Sequence, residues 1–144
     1  VITGRRALAL VIAGAAVSGG LLVWAVKLIA ARPGHDIVNM HTYHVVEVWA
    51  DSFPSGHATL AAIVYLMLGS LVAAGQKSAA LKAFAMGLAV ALTAIIGFTR
   101  VYLGIHYPID VFGGWAIGSA CAFVWMSAAH RVTQARLAFA KLRN

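Results

Sequence analysis

Apolar residues gather along this chain into four long runs separated by short polar segments. The runs extend from about Ala7 to Ala31, Ala58 to Ala74, Ala79 to Phe98 and Val111 to Ala129. Each is apolar on every face and close to the roughly 20 residues that a helix needs to cross a bilayer. Transmembrane strands would instead alternate apolar and polar residues over about ten positions. The pattern therefore predicts an all-α fold, a polytopic bundle of four transmembrane helices.

Composition supports the lipid bilayer as the surroundings of this bundle. Of 144 residues, 62% are hydrophobic and only 10% are charged, and the mean hydropathy is +0.87. Such a chain is more apolar than a soluble domain of this size. We expect residues 1–144 to form one transmembrane domain, and nothing in the pattern specifies an oligomeric state.

Basic residues divide unevenly between the two sides of a four-span arrangement. Lys and Arg accumulate in the short cytoplasmic loops of membrane proteins. One side would hold Arg5, Arg6, Lys77, Lys82, Arg131, Arg136, Lys141 and Arg143. We therefore predict an inner (plasma) membrane protein with a cytoplasmic C-terminus, and all four acidic residues at the periplasmic or exterior side. This topology accounts for most of the net charge of +7 and argues against nucleic acid as a partner.

Two polar segments flank the spans. The stretch from about Arg32 to Pro54 predicts an outer loop, and residues 130–144 form a basic end with interspersed apolar side chains. That end suits either a helix lying on an anionic membrane surface or a solvated tail.

Candidate chemistry lies where the outer loop meets the second span. Pro54, Ser55, Gly56 and His57 immediately precede an uncharged apolar run, so they occupy a helix N-terminus. Unsatisfied amides and the helix dipole make such an end favourable for anions, and a glycine lets a phosphate approach the backbone. The alternative is an ordinary serine cap with a histidine at the membrane interface.

A second candidate group precedes the last span. Pro108 suits the first position of a helix, which places Asp110 in the first turn, just beyond His106. A carboxylate that accepts a hydrogen bond from one imidazole nitrogen leaves the other free as a nucleophile or base. Alternatively, Asp110 only complements the helix dipole. Lys27, Arg32 and Arg100 would supply cations on the same side of the membrane.

A rival interpretation is a membrane protein that binds a metal ion or haem. The outer loop is dense in possible ligands, namely His35, Asp36, His41, His44, Glu47 and Asp51. Haem would need facing histidines within the spans, and this sequence has none there.

The motifs together resemble the type 2 phosphatidic acid phosphatase (PAP2) superfamily. That family combines Lys-x6-Arg-Pro, Pro-Ser-Gly-His and Ser-Arg-x5-His-x3-Asp elements. The second is complete at residues 54–57, and the third is present as Thr99, Arg100, His106 and Asp110, with threonine replacing its serine. The first departs from the pattern. Six residues intervene between Lys27 and Gly34-His35, which stand where the family has Arg-Pro, while Arg32-Pro33 lies two residues earlier.

The resemblance implies a metal-independent, cofactor-free phosphatase of a membrane lipid phosphate. Family membrane enzymes commonly have six spans with these motifs in the last four, so it also implies that N-terminal helices are lacking here. His106, oriented by Asp110, would form a phosphohistidine, and His57 would protonate the leaving oxygen. The phosphoryl oxygens would be held by Lys27, Arg32, Ser55, Gly56, Thr99 and Arg100. A non-catalytic lipid-binding subunit of the same fold is the alternative.

Overall fold

The computed structural model describes residues 2–30 and 52–142, and this part of the chain is helical with short connections. It contains four helices, α1 (Ile2–Ala30), α2 (Gly56–Ala74), α3 (Ala79–Tyr102) and α4 (Pro108–Leu142). Each includes a stretch long and apolar enough to cross a membrane, at Ala9–Ala30, Gly56–Ala74, Ala79–Tyr102 and Pro108–Val132. The prediction of an all-α, four-span bundle is confirmed. Arg32 and the proposed metal ligands of the outer loop lie outside the described residues.

Helix α2 lies at the centre of the bundle. It packs extensively against α3 and α4, and α1 lies against both α2 and α4. Small residues permit this closeness: Gly114 and Gly118 of α4 lie directly against the backbone of α2, and Gly69 of α2 lies against Ala89 of α3. Membrane helices use such residues because backbones then approach closely.

The buried core lies among α1, α2 and α4. Ala15, Ile63, Met67 and Ala122 are almost fully buried there. A hydrogen bond of 3.0 Å from Trp125 Nε1 to the Ser18 hydroxyl also joins α4 to α1. Many large apolar side chains instead face outward, as lipid-facing positions of a membrane bundle should, including Leu10, Trp24, Phe84 and Phe123.

Helix boundaries extend beyond the predicted apolar runs. Helix α2 begins at Gly56, within the predicted helix N-terminus at residues 54–57, and α4 begins at Pro108 as predicted. Beyond the apolar runs, α3 continues to Tyr102 and α4 continues to Leu142. The basic end through residue 142 continues α4 and is not a separate helix. Hydropathy marks where the hydrocarbon ends, whereas a helix ends only where the chain carries a stop signal such as Gly or Pro.

Candidate active site

The first turn of α2 carries the Pro-Ser-Gly-His element. Ser55 is the N-cap, with φ −70° and ψ 113°, and its hydroxyl accepts a 3.4 Å hydrogen bond from the Ala58 amide. Its carbonyl accepts from the amide and the hydroxyl of Thr59, both at 3.0 Å. An α-helix has no internal acceptors for its first amides. The amides of Gly56 and His57 therefore point past the helix end, beside the exposed His57 ring.

The end of α3 turns the chain sharply toward His106. Gly104 adopts a φ of +69°, and the amides of Gly104 and Ile105 bond the carbonyls of Val101 and Arg100 at 2.9 and 3.1 Å. This pair of bonds is a Schellman motif, which needs a left-handed residue that glycine adopts without strain. The His106 amide also reaches the Arg100 carbonyl, at 3.3 Å. The turn thus holds His106 close to the last turn of α3.

The side chains of His106 and Asp110 lie close together, but the predicted hydrogen bond between them is not formed. Asp110 is fully buried, and its Oδ2 lies 3.6 Å from Nδ1 of His106, whose side chain is 10% exposed. The same oxygen accepts a 3.0 Å hydrogen bond from the Tyr107 amide, which fixes the carboxylate. A separation of 3.6 Å exceeds hydrogen-bond length, although catalytic contacts in ligand-free sites often shorten when substrate binds. Because Nδ1 faces the carboxylate, Nε2 is the nitrogen on the other side of the ring.

A direct hydrogen bond joins the two motifs. The Ser55 amide donates to the Asp110 carbonyl at 2.9 Å. One helical turn further along, Gly114 packs against the Ser55 carbonyl. The N-termini of α2 and α4 are therefore fixed side by side, which brings His57 and His106 to the same end of the bundle.

Cationic side chains reach this end from two other helices. Lys27, in the last turn of α1, interacts electrostatically with His106, and Arg100 of α3 interacts with His57. Arg100 Nε is buried and has no hydrogen-bond partner within residues 2–30 and 52–142. The hydroxyl of Thr99 donates a hydrogen bond of 2.7 Å to the Ile96 carbonyl, so its single proton is directed at the helix backbone.

The surroundings of His106 favour its neutral form. Burial is the largest influence and lowers its pKa from the ordinary value of 6.5, and the nearby Lys27 charge lowers it further. The carboxylate of Asp110 and the main chain of Ser52 act in the opposite direction without overcoming burial. A neutral imidazole has a lone pair, so this environment suits a nucleophile.

Ser52 is a polar residue of this region that the sequence analysis did not single out. It is 3% exposed, its main chain interacts with the His106 ring, and its hydroxyl has no partner in the described part of the chain. Its only signal in the sequence is its position two residues before Pro54, since serines are otherwise common in loops. A buried, unsatisfied hydroxyl beside the His106 imidazole can donate to a bound anion.

The site is built from cations, imidazoles and amides. No group of three His, Cys, Asp or Glu side chains arranged to hold a metal ion occurs in the described residues. Asp110 is the single acidic side chain within them. Such a donor set suits an anionic ligand such as a phosphoryl group.

The sequence model of the PAP2 superfamily matches residues 6–134. The chain belongs to the PAP2 superfamily. Phosphatidylglycerophosphatase B of Bacillus subtilis is 36% identical over 74 residues, which cover 51% of this chain and 36% of that protein. Decaprenylphosphoryl-5-phosphoribose phosphatase of Mycobacterium tuberculosis is 31% identical over 108 residues, covering 74% of this chain and 52% of that protein.

Solved structures of PAP2 proteins share this fold. The crystal structure of a transmembrane PAP2-type phosphatidylglycerolphosphate phosphatase from Bacillus subtilis matches 85% of this chain and 59% of that chain, with a TM-score of 0.74 and 27% identity. The match to the crystal structure of Aquifex aeolicus LpxE covers 85% of this chain and 69% of the LpxE chain, with a TM-score of 0.62 and 22% identity. Together with the four apolar helices, these similarities identify a multi-pass membrane protein. This PAP2 chain spans roughly a third to a half of the length of both sequence relatives.

Proposed function

We propose that this PAP2 protein is a membrane lipid phosphatase that hydrolyses a phosphate monoester or diphosphate through a phosphohistidine on His106. The observation that carries the proposal is the 2.9 Å hydrogen bond from the Ser55 amide to the Asp110 carbonyl. It unites an anion-favouring helix N-terminus with a histidine–carboxylate pair. Each half alone has an ordinary structural explanation, whereas their fixed juxtaposition suits phosphoryl transfer.

The first half-reaction starts from neutral His106. Its Nε2 attacks phosphorus in line with the lipid oxygen, while the buried carboxylate of Asp110 stabilises the positive charge that develops on the ring. The P–O bond to the lipid breaks, and protonated His57 gives its proton to the departing oxygen. The products are the phosphorylated His106 and the free lipid alcohol, or the lipid monophosphate when the substrate is a diphosphate.

The second half-reaction reverses the role of His57. Now neutral, it removes a proton from water, whose oxygen attacks the phosphorus of the phosphohistidine. The N–P bond breaks and inorganic phosphate leaves, which returns His106 to its neutral form. Transfer to the hydroxyl of a second lipid, in place of water, follows the same steps and would make the protein a phosphotransferase.

Charge on the phosphoryl oxygens is stabilised by fixed donors. Lys27, Arg100 and the amides of Ser55 and Gly56 are proposed to hold them, with Arg32 joining from outside the described residues. The Ser55 amide already donates to Asp110, so it would act mainly through the field of the helix end. Preorganised donors of this kind commonly lower transition-state free energy by several kcal/mol. Thr99 could join them only if its hydroxyl left the Ile96 carbonyl.

The position of the site suits an amphiphilic substrate. His57 and His106 lie at the ends of membrane-length helices, where a lipid phosphate can meet the cations while its tail stays in hydrocarbon. Phosphatidic acid, phosphatidylglycerol phosphate, undecaprenyl diphosphate and lipid A phosphates share this chemistry. Two of the similar proteins are a phosphatidylglycerophosphatase and a decaprenylphosphoryl-5-phosphoribose phosphatase. We propose that this end faces the periplasm or exterior, since basic residues favour the opposite end for the cytoplasm.

The decisive experiment measures inorganic phosphate release from a panel of these lipids by the purified protein, with EDTA present. His106→Ala is expected to abolish release, whereas His130→Ala, which changes a histidine at the opposite end of the bundle, should leave it intact. Labelled phosphate trapped on protein should be stable to alkali and labile to acid, as a phosphohistidine is. A folded wild-type protein that releases no phosphate but binds the lipids would support the non-catalytic subunit instead.

A further inference from the structure

A groove opens between α3 and α4 in the half of the bundle away from His57 and His106. The two helices touch where Gly97 meets Trp115, and the groove lies on the other side of that contact. It is open along its outer side and has a volume of about 580 Å³, with Leu66 and Ser70 of α2 at its base. Met86 of α3 and one face of α4 between Ser119 and Arg131 form its walls.

The polarity of the groove changes along its length. Leu66, Ala122, Phe123 and Met126 make the part within the candidate spans mainly apolar, although the hydroxyls of Ser70 and Ser119 also line it. Ser127 follows one turn after Phe123, and His130 and Arg131 lie at the mouth, where that span ends at Val132. An apolar channel that ends in a cation at the membrane surface has the polarity of a phospholipid, with its chain inward and its headgroup at the surface.

Charge at this mouth is positive. Lys77 and Lys82 are exposed at the same end of the bundle as Arg131. Asp110, the single acid among residues 2–30 and 52–142, lies at the opposite end. Basic pockets between transmembrane helices bind anionic lipid headgroups, and the volume lies within the range of about 300–1,000 Å³ for ligand cavities.

We propose that this groove binds an acidic phospholipid, with one acyl chain between α3 and α4 and the phosphate at Arg131 and His130. The bound lipid comes from the leaflet opposite the catalytic end, so this site is separate from the one that holds the substrate. It requires no catalytic activity and is independent of the proposed function. Its physical effect is to fill the space between α3 and α4 and stabilise the bundle.

The test uses the full chain in neutral detergent and compares binding of phosphatidylglycerol with phosphatidylcholine of the same acyl chains by native mass spectrometry. Phosphatidylglycerol should bind in preference and raise the thermal unfolding temperature. Arg131→Gln should weaken its binding about fivefold, the loss expected for one surface cation. Lys82→Gln removes an exposed cation at the same end that does not line the groove, so it should change binding far less.

A second variant tests the acyl chain without changing charge. Ser119 is exposed and lines the groove. Ser119→Leu should therefore fill part of the groove and weaken the binding of both lipids by the same factor. Equal affinity for the two lipids in the wild type, or equal losses in Arg131→Gln and Lys82→Gln, would overturn the proposal in favour of nonspecific adsorption. A lipid-free dimer whose formation excludes phosphatidylglycerol would assign the groove to a second copy. If Arg131→Gln does not fold, an unchanged affinity in Ser119→Leu still overturns the site.

Discussion

Gly114 should be the glycine whose replacement harms the site most, because it lies where α4 contacts the N-cap of α2. A Cβ at this position would lie 2.5 Å from the Ser55 carbonyl oxygen, 2.9 Å from Ala58 Cβ and 3.2 Å from the Thr59 amide nitrogen. Two of these neighbours are backbone atoms, which cannot move by rotating a side chain. Gly114→Ala must therefore push the start of α2 away from α4.

The size of the displacement follows from these distances. The closest contact is about 0.9 Å short of the 3.4 Å at which ordinary van der Waals contact begins. A shift of that size would break the 2.9 Å hydrogen bond from the Ser55 amide to Asp110. Misplacement of a reacting group by roughly 1 Å can reduce a rate about 100-fold. We expect a similar loss of kcat/KM in Gly114→Ala.

Stability should change less than activity. Overpacking costs about 1–3 kcal/mol, but replacing a helical glycine with alanine recovers about 1 kcal/mol. The net loss is thus expected to be about 0–2 kcal/mol, with the four-helix fold retained. Phosphate release and thermal unfolding of the same detergent-purified sample, followed by circular dichroism, measure the two effects together.

Gly87 supplies the matched control. It lies in α3 with no atom within 4 Å of a built Cβ, so Gly87→Ala should retain full activity and at least wild-type stability. Full activity in Gly114→Ala, with an unchanged unfolding temperature, would show that this contact does not position the site. A loss of activity in Gly87→Ala equal to that in Gly114→Ala would instead show a general sensitivity to helical glycine replacement.

Three further outcomes follow from the geometry. Because burial lowers the pKa of His106, kcat/KM should fall on acidification only below pH 6.5. In pH–rate profiles on one substrate, Lys27→Met should move this acid limb to higher pH and Asp110→Asn should move it to lower pH. An acid limb that neither variant moves would contradict its assignment to His106. Gly104→Ala places a Cβ at φ +69°, which should lower the free energy of unfolding by about 1–2 kcal/mol, measured by thermal unfolding. An unchanged free energy of unfolding would show that the turn relaxes. Ser52→Ala should reduce kcat roughly 100-fold if its buried hydroxyl donates to the phosphoryl group, with unfolding unchanged; unaltered kcat would remove it from the site.

The spans were predictable because run length and hydropathy report directly on the bilayer, whereas helix ends were predictable only where the chain carries a local start signal. Residues 99–102 fall outside the predicted third run, yet they are helical because the stop is Gly104 rather than the last apolar side chain. The start of α4, by contrast, was predicted, because Pro108 suits the first position of a helix. Polar residues at these ends mark the membrane surface and leave the helix intact.

The sequence predicted that the candidate residues would gather at one end of the bundle, but not which of them would be in contact. Antiparallel spans bring residues 27, 57, 100 and 106 to one end whatever their packing. The bond from Ser55 to Asp110 depends on the register of α2 against α4, which Gly114 and Gly118 set by close approach. Small residues occur throughout these spans, so the sequence does not distinguish those that define register from those that only pack. Ser52 was missed for a related reason, since only burial separates it from an ordinary loop serine.

Assembly of the site from four helices has a consequence for how activity fails on heating. Lys27 comes from α1, His57 from α2, Arg100 from α3 and Asp110 from α4, so no single helix holds all of the proposed phosphate-binding and catalytic groups. In a membrane each helix keeps its own backbone hydrogen bonds after its neighbours separate, because unsatisfied groups are costly in hydrocarbon. Loosening of the α2–α4 contact should therefore abolish phosphate release at a temperature below the loss of helical circular dichroism. Coincident loss of both signals would show that the helices and the site form one cooperative unit.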